Sequence, residues 1–197
     1  MSTDFRTLRL PSRLFDGENF ILPLKGNPAA ASQASLRFPR RLLEDSGLLH
    51  FIFAEFHGPG FEIEEREALC RLVPPGALFI DIGAHFGLFS VILSDAVSGI
   101  HCIAVEPTPE TYSILVENIE GNGSSDRISS VRCAIGRCDG RQHLRPNSSM
   151  GNHLLGEKNQ PTDKDFDVEV KSLTSLLAQE FCHGQDERPI WLKIDTE

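Results

Sequence analysis

Two groups of residues carry types and spacings that can do chemistry. The first is Asp81, Gly83 and Gly87 in the stretch FIDIGAHFGLFS (79–90), together with Glu106 about twenty residues further on. Glycines in such a loop allow a tight turn and close approach of backbone to a ligand. A helix that follows them offers N–H groups and a partial positive charge to the same space. An acid at the end of the next strand is placed to accept hydrogen bonds from ribose hydroxyls. The second group is Lys193, Asp195 and Glu197, which alternate at the end of the chain and share one face if they lie on a strand. Ionised groups on a buried strand are costly unless they are paired or used. Asp195 is therefore the expected reactive carboxylate, with Lys193 as its partner. A plain Lys/Asp pair at a strand end, with no catalytic part, is the competing explanation.

The glycine spacing bears on which nucleotide fits. A dinucleotide site is expected to show G-x-G-x-x-G, whose close glycines seat a pyrophosphate on the helix N-terminus. Here Gly83-Ala84-His85-Phe86-Gly87 lacks that spacing, and Asp81 stands two residues ahead of the first glycine. A carboxylate there opposes a diphosphate and favours a cationic ligand, such as the ammonium or sulfonium of S-adenosylmethionine. That ligand is the expected cofactor.

These residues need elements to hold them. The run 77–82 is apolar, follows Pro74, Pro75 and Gly76, and reads as a strand buried on both faces; 86–93 is apolar almost all round and reads as a helix packed on a sheet. Ahead of them, 61–73 reads as a helix, with Glu62, Glu64 and Glu65 at the positive end of its dipole and Pro74 stopping it. A second strand spans 100–105 and ends at Glu106-Pro107. Thr108 and Pro109 then suit the start of a helix that Gly121 and Gly123 end. A third strand is expected over 128–135. Strand, helix, strand, helix, strand is the nucleotide-binding half of an α/β, doubly wound, mainly parallel Rossmann-like fold.

Less is expected of the remainder. Residues 138–141, Cys-Asp-Gly-Arg, are a hairpin-type turn signal, and 146–161 is polar and reads as a surface loop, either a lid or a plain connection. A strand over 166–170, a helix over 173–181 capped by Ser172 or Thr174, and a last strand over 190–194 follow. Towards the N-terminus, Phe15, Phe20, Ile21 and Leu22 suggest a short strand or hairpin, 27–35 a linker, and 48–56 a helix or a strand that caps the sheet or forms part of a lid. His50 and His57 at its ends read as ordinary surface or packing residues.

At 197 residues the chain is long enough for one cored domain, taken as 61–197, with 1–60 as an N-terminal extension or cap. A formal net charge of -9 argues against nucleic acid or an anionic membrane as partner. The five cysteines, Cys70, Cys102, Cys133, Cys138 and Cys182, are odd in number, form no zinc-type pair, and read as reduced thiols. The start MSTDFRTLRLPSR lacks the apolar core of a signal peptide, and no apolar run is long enough for a transmembrane helix, so a soluble, cytoplasmic protein is expected. No metal-ligand cluster is evident, and the expected site contains no metal.

The motifs resemble the FkbM-type family of class I S-adenosylmethionine-dependent methyltransferases. The resemblance is carried by FIDIGAHFGLFS (79–90), AVEPTPETYSILVENI (104–119), VRCAIG (131–136) and WLKIDTE (191–197), and covers residues 61–197. It implies donor binding by Asp81, Gly83, Ala84, His85 and Gly87, ribose binding at Glu106-Pro107, and adenine contacts near Cys133 and Ala134. It also implies O-methylation of a hydroxyl on a small molecule or glycan, with Asp195, Lys193 and Glu197 at the acceptor. In two places the chain departs from the family. His85 stands where Asn is frequent, and either can hydrogen-bond there; Thr174 stands where Asp is usual, and Thr serves equally as a helix cap. The family domain continues beyond the fourth core strand, so a C-terminally truncated domain is expected, with an unpaired apolar edge at 190–194 and weak or no catalysis. An oxidoreductase using a dinucleotide on a similar fold and a non-catalytic binding or interaction module remain alternatives.

Overall fold

Strand β4 (Leu78–Ile82) is buried along its whole length and lies inside a four-stranded parallel sheet. On one side it pairs with β5 (His101–Val105), which pairs in turn with β6 (Ile128–Val131); on the other it pairs with β11 (Ile190–Ile194). The structure is a computed structural model that describes residues 11–25, 34–148, 151–154, 165–180 and 187–195. Cys182 and Glu197 lie outside the described residues.

Alternation along the strands sends successive side chains to opposite faces. Leu78, Ile80, Ile82, Ile103 and Val105 meet Leu176 of α5 (Leu173–Glu180) on one face. Phe79, Cys102 and Ala104 face the other way, into the core that contains α3 (Leu88–Ala96) and α4 (Pro109–Gly121). Helices on both faces make the sheet doubly wound. Because α3 lies between the sheet and a further layer, Phe89 through Ser94 are all buried, which accounts for its apolar character all round. No helix among the described residues is long and apolar enough to cross a membrane.

That further layer comes from the N-terminal residues. Strands β1 (Phe15–Asp16), β2 (Asn19–Pro23) and β3 (Ser35–Pro39) form an antiparallel sheet. Phe20, Leu22, Leu36 and Phe38 from it share one core with Phe79 and Ile92. Strand β3 meets α4 through two asparagines spaced one turn apart. Asn118 Oδ1 accepts from Arg37 N–H at 2.5 Å, while Asn122 accepts from Ser35 N–H at 3.0 Å and donates to Ser35 O at 2.8 Å. The free edge of β3 is thereby satisfied by side chains instead of a further strand. The run 48–56, which pattern alone left as helix or strand, belongs to α1 (Ser46–His57), with Asp45 Oδ1 accepting from the N–H groups of Gly47 and Leu48.

Three expectations are corrected. The third strand does not run unbroken over 128–135: β6 ends at Val131, and Ala134–Gly136 is a separate strand, β7, in another sheet. Its partner is β10 (Phe166–Ser172), which comes so close that a Cβ on Gly136 would sit 2.6 Å from Val170 Cγ1. The turn at 138–141 does not fold β8 (Gly140–Ser148) back onto β7, because β10 lies between them. Part of the expected loop at 146–161 is strand, since β8 runs to Ser148 and pairs with β9 (Gly151–Leu154). Of the two candidate caps for α5, Ser172 acts: its Oγ accepts from Ser175 N–H at 3.1 Å.

Candidate functional site

A cavity of about 400 Å3 opens at the C-terminal ends of β4, β5 and β11. Parallel strands bring their ends to one edge, so residues distant in sequence meet there. The turn after β4 is locked by its own backbone. Gly83 N–H and Ala84 N–H both donate to Val105 O at 2.9 Å, and Gly87 N–H donates to Ala84 O at 2.8 Å. These N–H groups are thus committed within the protein. His85 adopts a left-handed φ of 53°, and Gly87 a φ of 91° with Leu115 Cδ1 only 2.7 Å from where a Cβ would stand. A side chain at position 87 would be strained and would also displace Leu115.

Glu106 is buried at the end of β5 and fixed at both oxygens. Its Oε2 accepts from His85 N–H at 3.1 Å and its Oε1 from Thr108 N–H at 2.9 Å. Each carboxylate oxygen has a second lone-pair direction, so both retain acceptor capacity towards the cavity they line. Beyond Glu106 the wall is apolar: Cys133, Ala134, Ile135 and Leu144 face the cavity. Burial pushes the Cys133 thiol up to about 11, so it is a neutral wall group and not a nucleophile at ordinary pH. Leu144 is brought here by β8, whose neighbour Arg145 forms a two-pronged ion pair with Asp165, each arm 2.9 Å.

The opposite end holds the charges. Lys193 pairs in register with Asp81 across β4 and β11. Its ammonium lies 3.6 Å from Asp81 Oδ1, 3.2 Å from Asp195 Oδ2 and 4.6 Å from the centroid of Phe89. Asp195 is exposed towards the cavity, and its N–H continues the ladder to Ile82 O at 3.0 Å. Asp81 is fully buried and does not line the cavity. Its Oδ2 accepts from Ser90 Oγ at 2.9 Å, while its Oδ1 has no hydrogen bond among the described residues. Burial raises the Asp81 pKa, and Lys193 and the Ser90 bond act against that rise. Asp81 therefore acts from beneath the site, through Lys193 and Ser90.

Of the sequence-derived candidates, Gly83, Ala84, His85, Glu106, Pro107, Cys133, Ala134, Lys193 and Asp195 all line this one cavity. Asp81 and Gly87 support it from below.

Phe51, from the run 48–56 expected as a cap or part of a lid, faces the cavity, and so do Leu36, Phe61 and Glu62, which sequence reasoning did not place at the site. Glu62 lies at the positive end of the dipole of the following helix, as its position predicts. It is the N-cap of α2 (Ile63–Leu72) with a left-handed φ of 48°, and burial raises its carboxyl pKa, with Lys193 opposing and Asp195 reinforcing the rise. The available signal was a Gly-Pro-Gly turn (58–60) leading to a helix start that carries Glu where Ser, Thr, Asp or Asn is preferred. A buried ion pair holds this turn. Arg66 donates to Glu55 Oε1 at 2.9 Å and to Lys25 O at 2.9 Å, and Glu55 also accepts from Phe61 N–H at 2.8 Å and Lys25 N–H at 3.0 Å. Lys25 Nζ closes the knot on Gly58 O.

Comparison with known proteins places this site in context. Methyltransferase sdnD of Sordaria araneosa is 25% identical over 150 residues, a match covering 64% of this chain; the chain spans 58% of that relative's length. Among solved structures, methyltransferase FkbM from Methylobacillus flagellatus is 18% identical, with a TM-score of 0.42 over 67% of this chain and 28% of that one. The C-terminal domain of precorrin-6Y C5,15-methyltransferase from Rhodobacter capsulatus is 29% identical, with a TM-score of 0.33 over 36% of this chain and 39% of that one. Residues 81–197, more than half of the sequence, match the model of the methyltransferase FkbM domain. The chain belongs to the FkbM methyltransferase family.

Proposed function

We propose that the cavity binds S-adenosylmethionine and that the protein transfers its methyl group to a hydroxyl on a small molecule or glycan. The observation that carries this reading is Glu106: a buried carboxylate held by two backbone N–H groups, with acceptor capacity left towards the cavity. A ribose diol is the complementary donor pair. The apolar surface of Cys133, Ala134, Ile135 and Leu144 suits a flat base. Because Gly83, Ala84 and Gly87 have committed their N–H groups internally, the turn offers little to a pyrophosphate.

When bound, S-adenosylmethionine supplies a methyl group on a positively charged sulfur. Everything else falls to the protein, and for an in-line displacement that is chiefly positioning. Glu106 would hold the ribose, and the 83–87 turn would fix the depth of the donor. Asp195 would orient the acceptor hydroxyl and take its proton, with Lys193 keeping the carboxylate in place at 3.2 Å. Glu197, the third member of the alternating set, lies outside the described residues and has no assigned geometry.

Calorimetric titration of the full chain with S-adenosylhomocysteine, S-adenosylmethionine and NAD tests the reading. Saturable binding of the first two and none of NAD is expected. NAD binding without S-adenosylhomocysteine binding would replace the methyltransferase reading with a dinucleotide enzyme, and binding of none would leave a non-catalytic module.

A further inference from the structure

We propose that the turn at Gly60, Phe61 and Glu62 selects the acceptor, favouring a hydroxylated molecule with an aromatic or apolar body and a neutral or cationic end group. This rests on the donor reading above and adds the acceptor side to it. The turn lies ahead of the segment that matches the family model, which begins at residue 81. It nevertheless forms a wall of the same cavity as Lys193 and Asp195.

Three observations support the assignment. The first is that the turn is held in a conformation its residues do not prefer: Glu62 has a φ of 48°, in the left-handed region that disfavours a residue with a Cβ. Such outliers persist only where the surroundings over-determine them. Here the surroundings are the Glu55–Arg66 pair, with side chains 0% and 2% exposed, which fixes Phe61 N–H, and the edge-on packing of Phe61 against Phe51 at 5.1 Å. A Cβ on Gly60 would lie 2.7 Å from Arg66 Nη2, so the ion pair and the turn fit each other closely.

The second observation is charge. Lys193 is already flanked by Asp81 and Asp195, and its field and that of Asp195 both reach Glu62. Two carboxylates thus already compensate the one ammonium, and Glu62 lines the same cavity as a further carboxyl group. An anionic acceptor would meet uncompensated negative charge, whereas a neutral donor or a cation would not. The third is the apolar surface beside them. Phe61, Phe51 and Phe89 line the cavity, and aromatic rings bury large areas against a flat partner.

The test uses three phenols that differ only in the end of a two-carbon arm: tyramine, tyrosol and 3-(4-hydroxyphenyl)propionate. Each is titrated, with and without saturating S-adenosylhomocysteine, into wild type, Glu62→Lys and Glu62→Asn. The asparagine variant removes the charge yet tolerates left-handed backbone, so it remains informative if the lysine variant does not fold. Wild type should bind tyramine at least about tenfold tighter than the propionate, and Glu62→Asn should shrink that ratio to about threefold or less. Glu62→Lys should abolish or invert it. In both variants S-adenosylhomocysteine affinity should stay within about twofold of wild type. An unchanged ratio in the asparagine variant, tighter propionate binding in wild type, or no binding of any phenol overturns the proposal. Failure of S-adenosylhomocysteine to bind wild type overturns the donor reading instead, and the phenol ratio without it still decides this one.

Discussion

The two ends of the cavity are built on different principles. At the donor end the polar groups are held by backbone: Glu106 by the N–H groups of His85 and Thr108, and the 83–87 turn by Val105 and by itself. Every residue there lies at the end of a strand or within five residues of one. At the acceptor end the groups are side chains contributed by α1, the 60–62 turn and β11, and their needs are met only in part. Asp81 Oδ1 has no hydrogen bond among the described residues, and Lys193 is divided between two carboxylates and a ring. An end held by backbone suits an invariant ligand. A side-chain end can change its partner by substitution without disturbing the sheet.

The largest expected effect separates the ends by stability. Arg66 and Glu55 are both buried, and removing one member of such a pair costs about 3–5 kcal/mol. Arg66→Met should lower stability by about that much in urea denaturation, yet leave S-adenosylhomocysteine affinity of the folded protein within about twofold. If donor affinity fell along with stability, the two ends would form one unit and the contrast would fail.

The converse variant is Glu106→Ala. It strands the His85 and Thr108 N–H groups, which in total should cost about 2 kcal/mol because water in the cavity can replace part of what is lost. The larger consequence is for the ligand: S-adenosylhomocysteine affinity should drop at least about tenfold by calorimetry, since charge-assisted bonds to the ribose are lost. An affinity close to wild type would place the ribose elsewhere.

The same contrast decides how much could be read from the residues. Strand ends and the turn between them are local patterns, so 77–93, Glu106-Pro107 and the parallel sheet were legible, as was the last strand at 190–194 with its alternating Lys193 and Asp195. What failed depended on partners distant in sequence. The run 128–135 reads as one strand because nothing in ISSVRCAI shows that β10, more than thirty residues later, pairs with Ala134–Gly136. The Asp139-Gly140 turn signal was genuine, but the strand following it found the same distant partner. Phe61 and Glu62 looked like the start of an ordinary amphipathic helix; only the Glu55–Arg66 pair, itself formed across α1 and α2, turns them into the cavity. The alternation of β11 also leaves Ile190, Leu192 and Ile194 exposed on the face where β4 is covered by α5, a feature that apolar composition alone would have placed inside.

Asp81 lies beneath both ends and offers the smallest but most discriminating test. Burial is the leading cause of its raised pKa, so the folded carboxyl holds its proton to a higher pH than the unfolded one, whose ordinary value is 3.8. Between those two values the native state binds more protons, and stability must fall as pH rises through the folded pKa. Asp81→Asn removes that titration while leaving an oxygen to accept from Ser90 Oγ, and Lys193 keeps Asp195 at 3.2 Å. The difference in urea stability, variant minus wild type, should therefore grow in the variant's favour as pH rises above 3.8 and level off once the wild-type carboxyl is ionised. Curves that stay parallel from pH 4 to 8 would mean that Lys193 fully offsets the burial of Asp81, and that the carboxylate beneath the site is ionised at no cost to the fold.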